Sequence, residues 1–187
     1  MRAEVIARRA TLSQDAHAAL SRAACERLLA HPLLREARTV ALYAALGKEL
    51  DPAGAADALL ARGVRVVYPR LRAGERRMAF AACPRTALVV GPLKALEPPP
   101  DAPELDGAEV DVIVVPAVAF TPDGHRLGRG GGYYDATLAA APRARRVGLA
   151  FDLQVVPALP REDHDATVDA VVTELRTLSP ASGVPTR

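Results

Sequence analysis

The chain has 187 residues, half of them hydrophobic and a quarter charged, a balance that supports one folded domain with a real core. Its net charge of +2 speaks against a dedicated nucleic-acid binder, which carries a concentrated basic excess. No apolar run approaches the roughly 20 residues needed to span a bilayer.

Met1 to Ala10 is basic and amphipathic and lacks the apolar centre of a signal peptide, so a cytoplasmic protein is expected. The first 30 residues read as helix. Leu12, Ala16, Leu20, Ala24 and Leu28 recur every fourth residue, with Ser13 as N-cap. His31-Pro32 should end the run, because the residue before proline is pushed out of helical geometry. Thr39 to Ala44 reads as a short strand. Asp51-Pro52 then opens a helix with the apolar face Ala55, Ala56, Leu59 and Leu60, and Gly63 stops it. Val64 to Tyr68 is a second strand. Strand, helix and strand within about 30 residues is the signature of a parallel sheet.

Met78 to Ala82 and Ala87 to Val90 read as further strands, and 91–109 as an extended surface loop. Val110 to Val115 is nearly all apolar, as a strand buried on both faces should be. A Gly/Arg-rich loop at 121–132 leads into a helix from Tyr133 to Ala140. Arg146 to Phe151 and Ala170 to Thr173 complete the strands. The expected architecture is a single α/β domain over 1–178, with a mostly parallel central sheet and helices on both sides. Residues 179–187 are expected to form a tail. Cys25 and Cys83 lie far apart with no CxxC partner and read as plain thiols.

The run from Pro116 to Asp135 carries the chemistry. It begins at the C-terminal end of the most apolar strand, where open α/β sheets bind ligands. Gly128, Gly130, Gly131 and Gly132 let the backbone approach a ligand, and their N–H groups can converge on an anion. The helix that follows presents its N-terminus to the same place, and Arg126 and Arg129 add charge suited to phosphate oxygens. The spacing matches neither GxxxxGK[ST] nor GxGxxG, so a plain tight loop stays open beside anion binding. Tyr133 and Tyr134 cannot share a helix face. One is expected to pack inward while the other faces the ligand. Asp135 favours the helix dipole whatever its role, and next to phosphates a carboxylate is the usual magnesium ligand.

The run Gly124-His-Arg-Leu-Gly-Arg-Gly-Gly-Gly-Tyr-Tyr-Asp135 closely resembles the hallmark of the 5-formyltetrahydrofolate cyclo-ligases. The resemblance extends along the chain. Arg8 to Ser13 looks like that family's opening helix break, and Gly47 to Asp51 like its Gly-x-Glu-x-Asp turn. Tyr68-Pro-Arg70, Glu97-Pro98 and His164 to Glu174 are similar to its later landmarks. It implies that ATP and 5-formyltetrahydrofolate become 5,10-methenyltetrahydrofolate, ADP and phosphate, with Mg2+ and through a phosphorylated formyl (imidate) intermediate.

By position, the resemblance gives ATP binding to Arg2, Arg126, Leu127, Gly128, Arg129, Gly130, Gly131, Gly132, Tyr133 and Tyr134. It gives folate binding to Glu49, Arg129, Gly130, Gly131, Gly132 and Tyr133, and the catalytic roles to Arg129 and Tyr133. Asp135 and Asp165 are implied as metal ligands, with Asp169 the neighbour if the alignment slips. Read from the residues alone, Glu49 is an exposed turn carboxylate and Asp165 part of a solvated acidic loop. A monomer is expected, with no nucleic-acid or membrane partner. The family carries a Lys four residues before an Arg in its first helix. Arg2 aligns with that Arg, and the Lys position would precede Met1. This leaves an upstream start, weakened ATP binding, or a non-catalytic folate- or nucleotide-binding relative as alternatives. A sugar-phosphate enzyme on a similar scaffold is a further alternative, against which the Gly/Arg/Tyr run argues.

Overall fold

A computed structural model describes residues 1–160 and 166–180. In chain order, the first part runs α1 (Arg2–Ala10), α2 (Gln14–Ala30), α3 (Pro32–Glu36), β1 (Thr39–Ala41), α4 (Ala53–Ala61) and β2 (Arg65–Arg70). Then come β3 (Ala79–Ala81), β4 (Val89–Val90), β5 (Leu96–Glu97), β6 (Glu104–Leu105), β7 (Val112–Val115), β8 (Ala119–Phe120) and β9 (Arg126–Leu127). The chain closes with α5 (Tyr133–Ala140), β10 (Arg145–Leu149), β11 (Ala170–Val172) and β12 (Thr177–Leu178).

Eight strands form one sheet in the order β12-β11-β10-β7-β1-β2-β3-β6. Its centre, from β11 to β2, is parallel, while β12, β3 and β6 join antiparallel at the edges. β7 lies near the middle and all four of its residues are buried. Side chains alternate across a strand. Val112 and Val114 therefore join a core with Leu28 of α2, Leu34 of α3 and Leu59 of α4. Ile113 and Val115 point to the other face, against Phe120 and Leu138 of α5. Burying each such side chain contributes about 1.5–3 kcal/mol. The mostly parallel sheet with helices on both faces is thus present, and β7 is its apolar spine.

Several local expectations change. The first helix is two helices, because the chain breaks at Thr11-Leu12 and restarts at Ser13, whose Oγ accepts from Ala16 N at 3.2 Å. The run does end at Ala30, but Pro32 then starts a short extra helix, capped when His31 Nδ1 accepts from Leu33 N. Proline fits the first turn because its missing N–H would have no partner there. Residues 91–109 are not a plain loop: β5 pairs with β4, and β6 extends the main sheet. Two-residue strands carry too little alternation to be seen in sequence. Asp51 Oδ1 accepts from Ala53 N at 3.0 Å to start α4, and Gly63 ends it with φ +76°.

Candidate active site

The Gly/Arg segment is shaped by a small hairpin. β8 pairs antiparallel with β9, with Phe120 opposite Arg126. A separate apolar cluster holds the hairpin against the N-terminal helix, where Val5 packs with Val118, Ala119, Val156 and Leu159. Gln154 braces the approach by donating from Nε2 to the carbonyls of Ala117 (2.8 Å) and Val118 (3.0 Å). With α1 seated there, Arg2 Nε donates to Gly128 O at 2.8 Å. The first helix and the glycine turn therefore meet at Arg2.

After Gly128 the chain turns through Gly130 (φ +98°) and Gly132 (φ +69°). Both lie in the left-handed region that costs a residue with a Cβ about 1–2 kcal/mol. Gly132 is the N-cap of α5 and offers no side-chain cap. The first N–H groups of a helix have no intrahelical acceptor, so this turn presents donors at the positive end of the helix dipole. Asp135 lies in that first turn. Its Oδ1 accepts from Arg126 Nη2 at 2.5 Å and from Ala166 N at 3.3 Å. The Arg126 side chain is only 4% exposed. Arg126 is thus a buried guanidinium fixed by a carboxylate.

The second half of the site is the turn after β1. Glu49 Oε2 accepts from Leu46 N at 3.0 Å and closes the turn, in which Gly47 has φ +63°. His17 Nε2 lies 2.9 Å from Glu49 O, and Tyr43 Oη donates to Leu50 O at 2.7 Å. Oε1 of Glu49 accepts from both Nε (3.1 Å) and Nη2 (2.9 Å) of Arg129. The Glu49 side chain is 12% exposed. The exposed-turn reading of this carboxylate is therefore corrected: it is largely buried and paired with a residue of the glycine turn. Arg9, buried behind it, has its pKa lowered by burial, an effect that nearby Glu49 opposes.

The fold thus gathers Glu49, Arg2, Arg126, Leu127, Gly128 to Gly132, Tyr133, Tyr134 and Asp135 around one strand-to-helix turn. The two tyrosines have different surroundings. Tyr134 packs against the core, and burial pushes its pKa up. Tyr133 is half-buried, with its ring against the Gly131 backbone. Asp165 lies outside the described residues. Asp169 is engaged elsewhere: it accepts from Arg146 N (2.7 Å) and pairs with Arg145 (3.3 Å) where β10 begins, at the opposite end of the sheet. That geometry removes it as the alternative metal ligand.

Three polar side chains at this site were not singled out as site residues from the sequence: Arg9, His17 and Arg76. Arg9 and His17 carry no spacing signal. Arg76 belongs to a group of four arginines between 70 and 77, a charge cluster that the sequence displays without indicating which member reaches the site. A cavity of about 130 Å³ opens beside the Glu49 turn, lined by Tyr43, Ala45, Asp51, Tyr68, Arg85 and Leu88 among others. A larger one of about 290 Å³, lined by Arg72, Arg77, Phe80 and Thr137 among others, lies between β3, β6 and α5, and none of its walls is a glycine of the turn. The turn itself joins a helix dipole, backbone donors and paired charges, the features of a candidate ligand site.

The class of protein follows from the fold. The solution structure of a 5,10-methenyltetrahydrofolate synthetase from Aquifex aeolicus superposes with a TM-score of 0.85 at 29% identity, covering 100% of this chain and 94% of that one. This is the same α/β scaffold over its whole length. The 5-formyltetrahydrofolate cyclo-ligase of Escherichia coli (strain K12) is 34% identical over 171 residues, 89% of this chain and 94% of that protein. The Mycolicibacterium smegmatis protein of the same name is 37% identical over 145 residues, 74% of this chain and 75% of its own. The model of the 5-formyltetrahydrofolate cyclo-ligase family matches residues 1–174. The chain belongs to the 5-formyltetrahydrofolate cyclo-ligase family.

Proposed function

We propose that this chain uses ATP to convert 5-formyltetrahydrofolate into 5,10-methenyltetrahydrofolate, with the chemistry centred on the turn at 128–135. The observation that carries this reading is the convergence of Glu49, Arg129 and the α5 N-terminus at one place, in a chain matched by the family along nearly its whole length. The formyl oxygen attacks the γ-phosphate, forming the O–P bond as the bond to ADP breaks. N10 of the folate then adds to the activated carbon, and phosphate carries away the oxygen. Amide oxygen is a poor leaving group, so phosphorylation is what makes the step possible. The protein's part is positioning and charge stabilisation.

Each group then has a task. The N–H groups from Gly130 to Tyr134, with Arg126 and Arg2, hold phosphate oxygens at the helix N-terminus. Glu49 accepts paired N–H bonds from the 2-amino-4-oxo edge of the pterin. Arg129, which reaches from the glycine turn to Glu49, lies between the two substrates and stabilises charge on the transferring phosphoryl group. Tyr133 borders both substrates.

The donor set at Asp135 fits Mg2+. Both of its hydrogen bonds fall on Oδ1, and Oδ2 has no hydrogen-bond partner among the described residues. Mg2+ binds through one or two carboxylates plus substrate phosphates, and Asp135 supplies a carboxylate oxygen at the turn that would hold those phosphates. When bound, Mg2+ would neutralise charge on the phosphate oxygens, and Asp135 would hold it. The deciding experiment is a spectrophotometric assay for the methenyl chromophore. Product should appear only with 5-formyltetrahydrofolate, ATP and Mg2+ together, with ADP in equal amount. Folate binding with no turnover would overturn the proposal.

A further inference from the structure

Four arginines lie on the end of β2 and the connection to β3: Arg70, Arg72, Arg76 and Arg77. Three have acidic partners. Arg70 and Arg72 converge on Glu104, while Arg72 and Arg77 also approach Glu75 at 3.8 and 3.9 Å. Arg76 is exposed and has no ion pair or hydrogen bond among the described residues. Its guanidinium nevertheless stands at the glycine turn. A Cβ added to Gly132 would lie 3.6 Å from Arg76 Nη1.

This placement is held from both ends. Leu71 N donates to Glu97 Oε2 at 3.1 Å, and Met78 N donates to Thr137 Oγ1, one helical turn into α5, at 2.9 Å. The connection is therefore docked on the very helix whose N-terminus Arg76 faces. A cation beside the positive end of a helix is electrostatically unfavourable by itself. An anion seated at that helix end would relieve it.

We propose that Arg76 is a further binding residue of this site, gripping an oxyanion seated at the N-terminus of α5 opposite the Arg2 end of the glycine turn. The guanidinium fork suits phosphate and carboxylate alike. The oxyanion therefore comes either from the nucleotide phosphates or from the glutamate tail of the folate. The inference rests on the proposed function, since it takes its two ligands from there.

The test uses the full chain with Arg76→Ala and Arg76→Lys, and calorimetry with MgADP and with 5-formyltetrahydrofolate carrying one or several glutamates. Arg76→Ala should weaken one of these ligands about tenfold, the scale of a lost charge-assisted hydrogen bond. Arg76→Lys should fall between, because it keeps the charge and loses the fork. Melting temperature should not fall, since no contact is removed. Weakened MgADP marks the phosphate source, and weakening that grows with tail length marks the carboxylate source. Wild-type affinity of Arg76→Ala for every ligand overturns the assignment. A wild-type protein that makes no methenyl product would instead count against the reaction proposed above, and the binding comparison would still stand by itself.

Discussion

Arg129 is the side chain on which the two halves of the site meet. It is 53% exposed and its contacts are with the Glu49 turn: two hydrogen bonds to Glu49 Oε1 and a longer one, 3.5 Å, to Leu46 O. An ion pair with so exposed a partner contributes about 1 kcal/mol or less to stability, and the buried Arg9 still faces Glu49 when Arg129 is gone. Arg129→Ala should therefore lower the melting temperature by no more than about 2–4 °C. Turnover should fall about 100-fold or more, the usual effect of removing one donor to a developing charge. Steady-state kinetics beside a thermal melt checks both numbers, and activity within a few-fold of wild type would remove Arg129 from the mechanism. The sequence made the Gly/Arg turn visible because its composition is unusual. It could not show that Glu49 is buried, since that depends on a contact between residues 80 positions apart. Nor could spacing reveal Arg126 as a buried ion-paired group, because its burial comes from the hairpin and α5 closing over it.

At the scale of elements, β10 and the β8–β9 hairpin are coupled through one close approach. Gly148 on β10 lies under the Phe120 ring, and a Cβ there would meet Phe120 Cε1 at 2.5 Å. Phe120 is completely buried and opens the segment that carries Arg126. Gly148→Ala should cost about 1–3 kcal/mol by overpacking and should also reduce activity by shifting the hairpin. Denaturant unfolding measures the first effect and the folate assay the second. Unchanged stability would mean that the ring can move. The long or apolar elements were readable in advance. Tyr133–Ala140 was placed to the residue, and Val110 to Val115 was recognised as central because a strand covered on both faces has no polar alternation. The break at Thr11-Leu12 was named only by the resemblance, through Arg8 to Ser13, because the four-residue apolar series begins at Leu12 and does not separate the residues before it. The pairs β4–β5 and β8–β9 are set by tertiary contact and leave no periodic trace.

Across the molecule, burial sets the response to alkali. Burial raises the Cys25 thiol to about 11, and its Sγ donates to Asp51 O at 3.5 Å. Tyr68 is pushed up to about 12 by the same cause. A thiol that holds its proton more tightly when folded adds stability that is fully present below its unfolded value near 9. That stability is lost as pH rises through about 11. The loss attributable to Cys25 is at most about 3 kcal/mol. Wild type should therefore lose more stability than Cys25→Ala between pH 9 and 11, as read from urea midpoints at each pH. Parallel curves would show that this thiol stays protonated in the unfolded chain or ionises freely in the folded one. Among the described residues no helix is long and apolar enough to cross a membrane.

The two ion pairs of the site, Arg129 with Glu49 and Arg126 with Asp135, have a consequence for the order of events. At rest the pocket supplies its own counterions, so each incoming ligand must displace an internal one. On the proposed roles, a pterin that takes Glu49 would release Arg129 toward the phosphates, and a nucleotide that draws Arg129 away would uncover Glu49. Each substrate thereby prepares the berth of the other, and thermodynamic reciprocity requires the two enhancements to be equal. Titrating MgADP with and without saturating folate, and folate with and without MgADP, should return the same factor greater than one. Independent binding would show that the latch does not open this way.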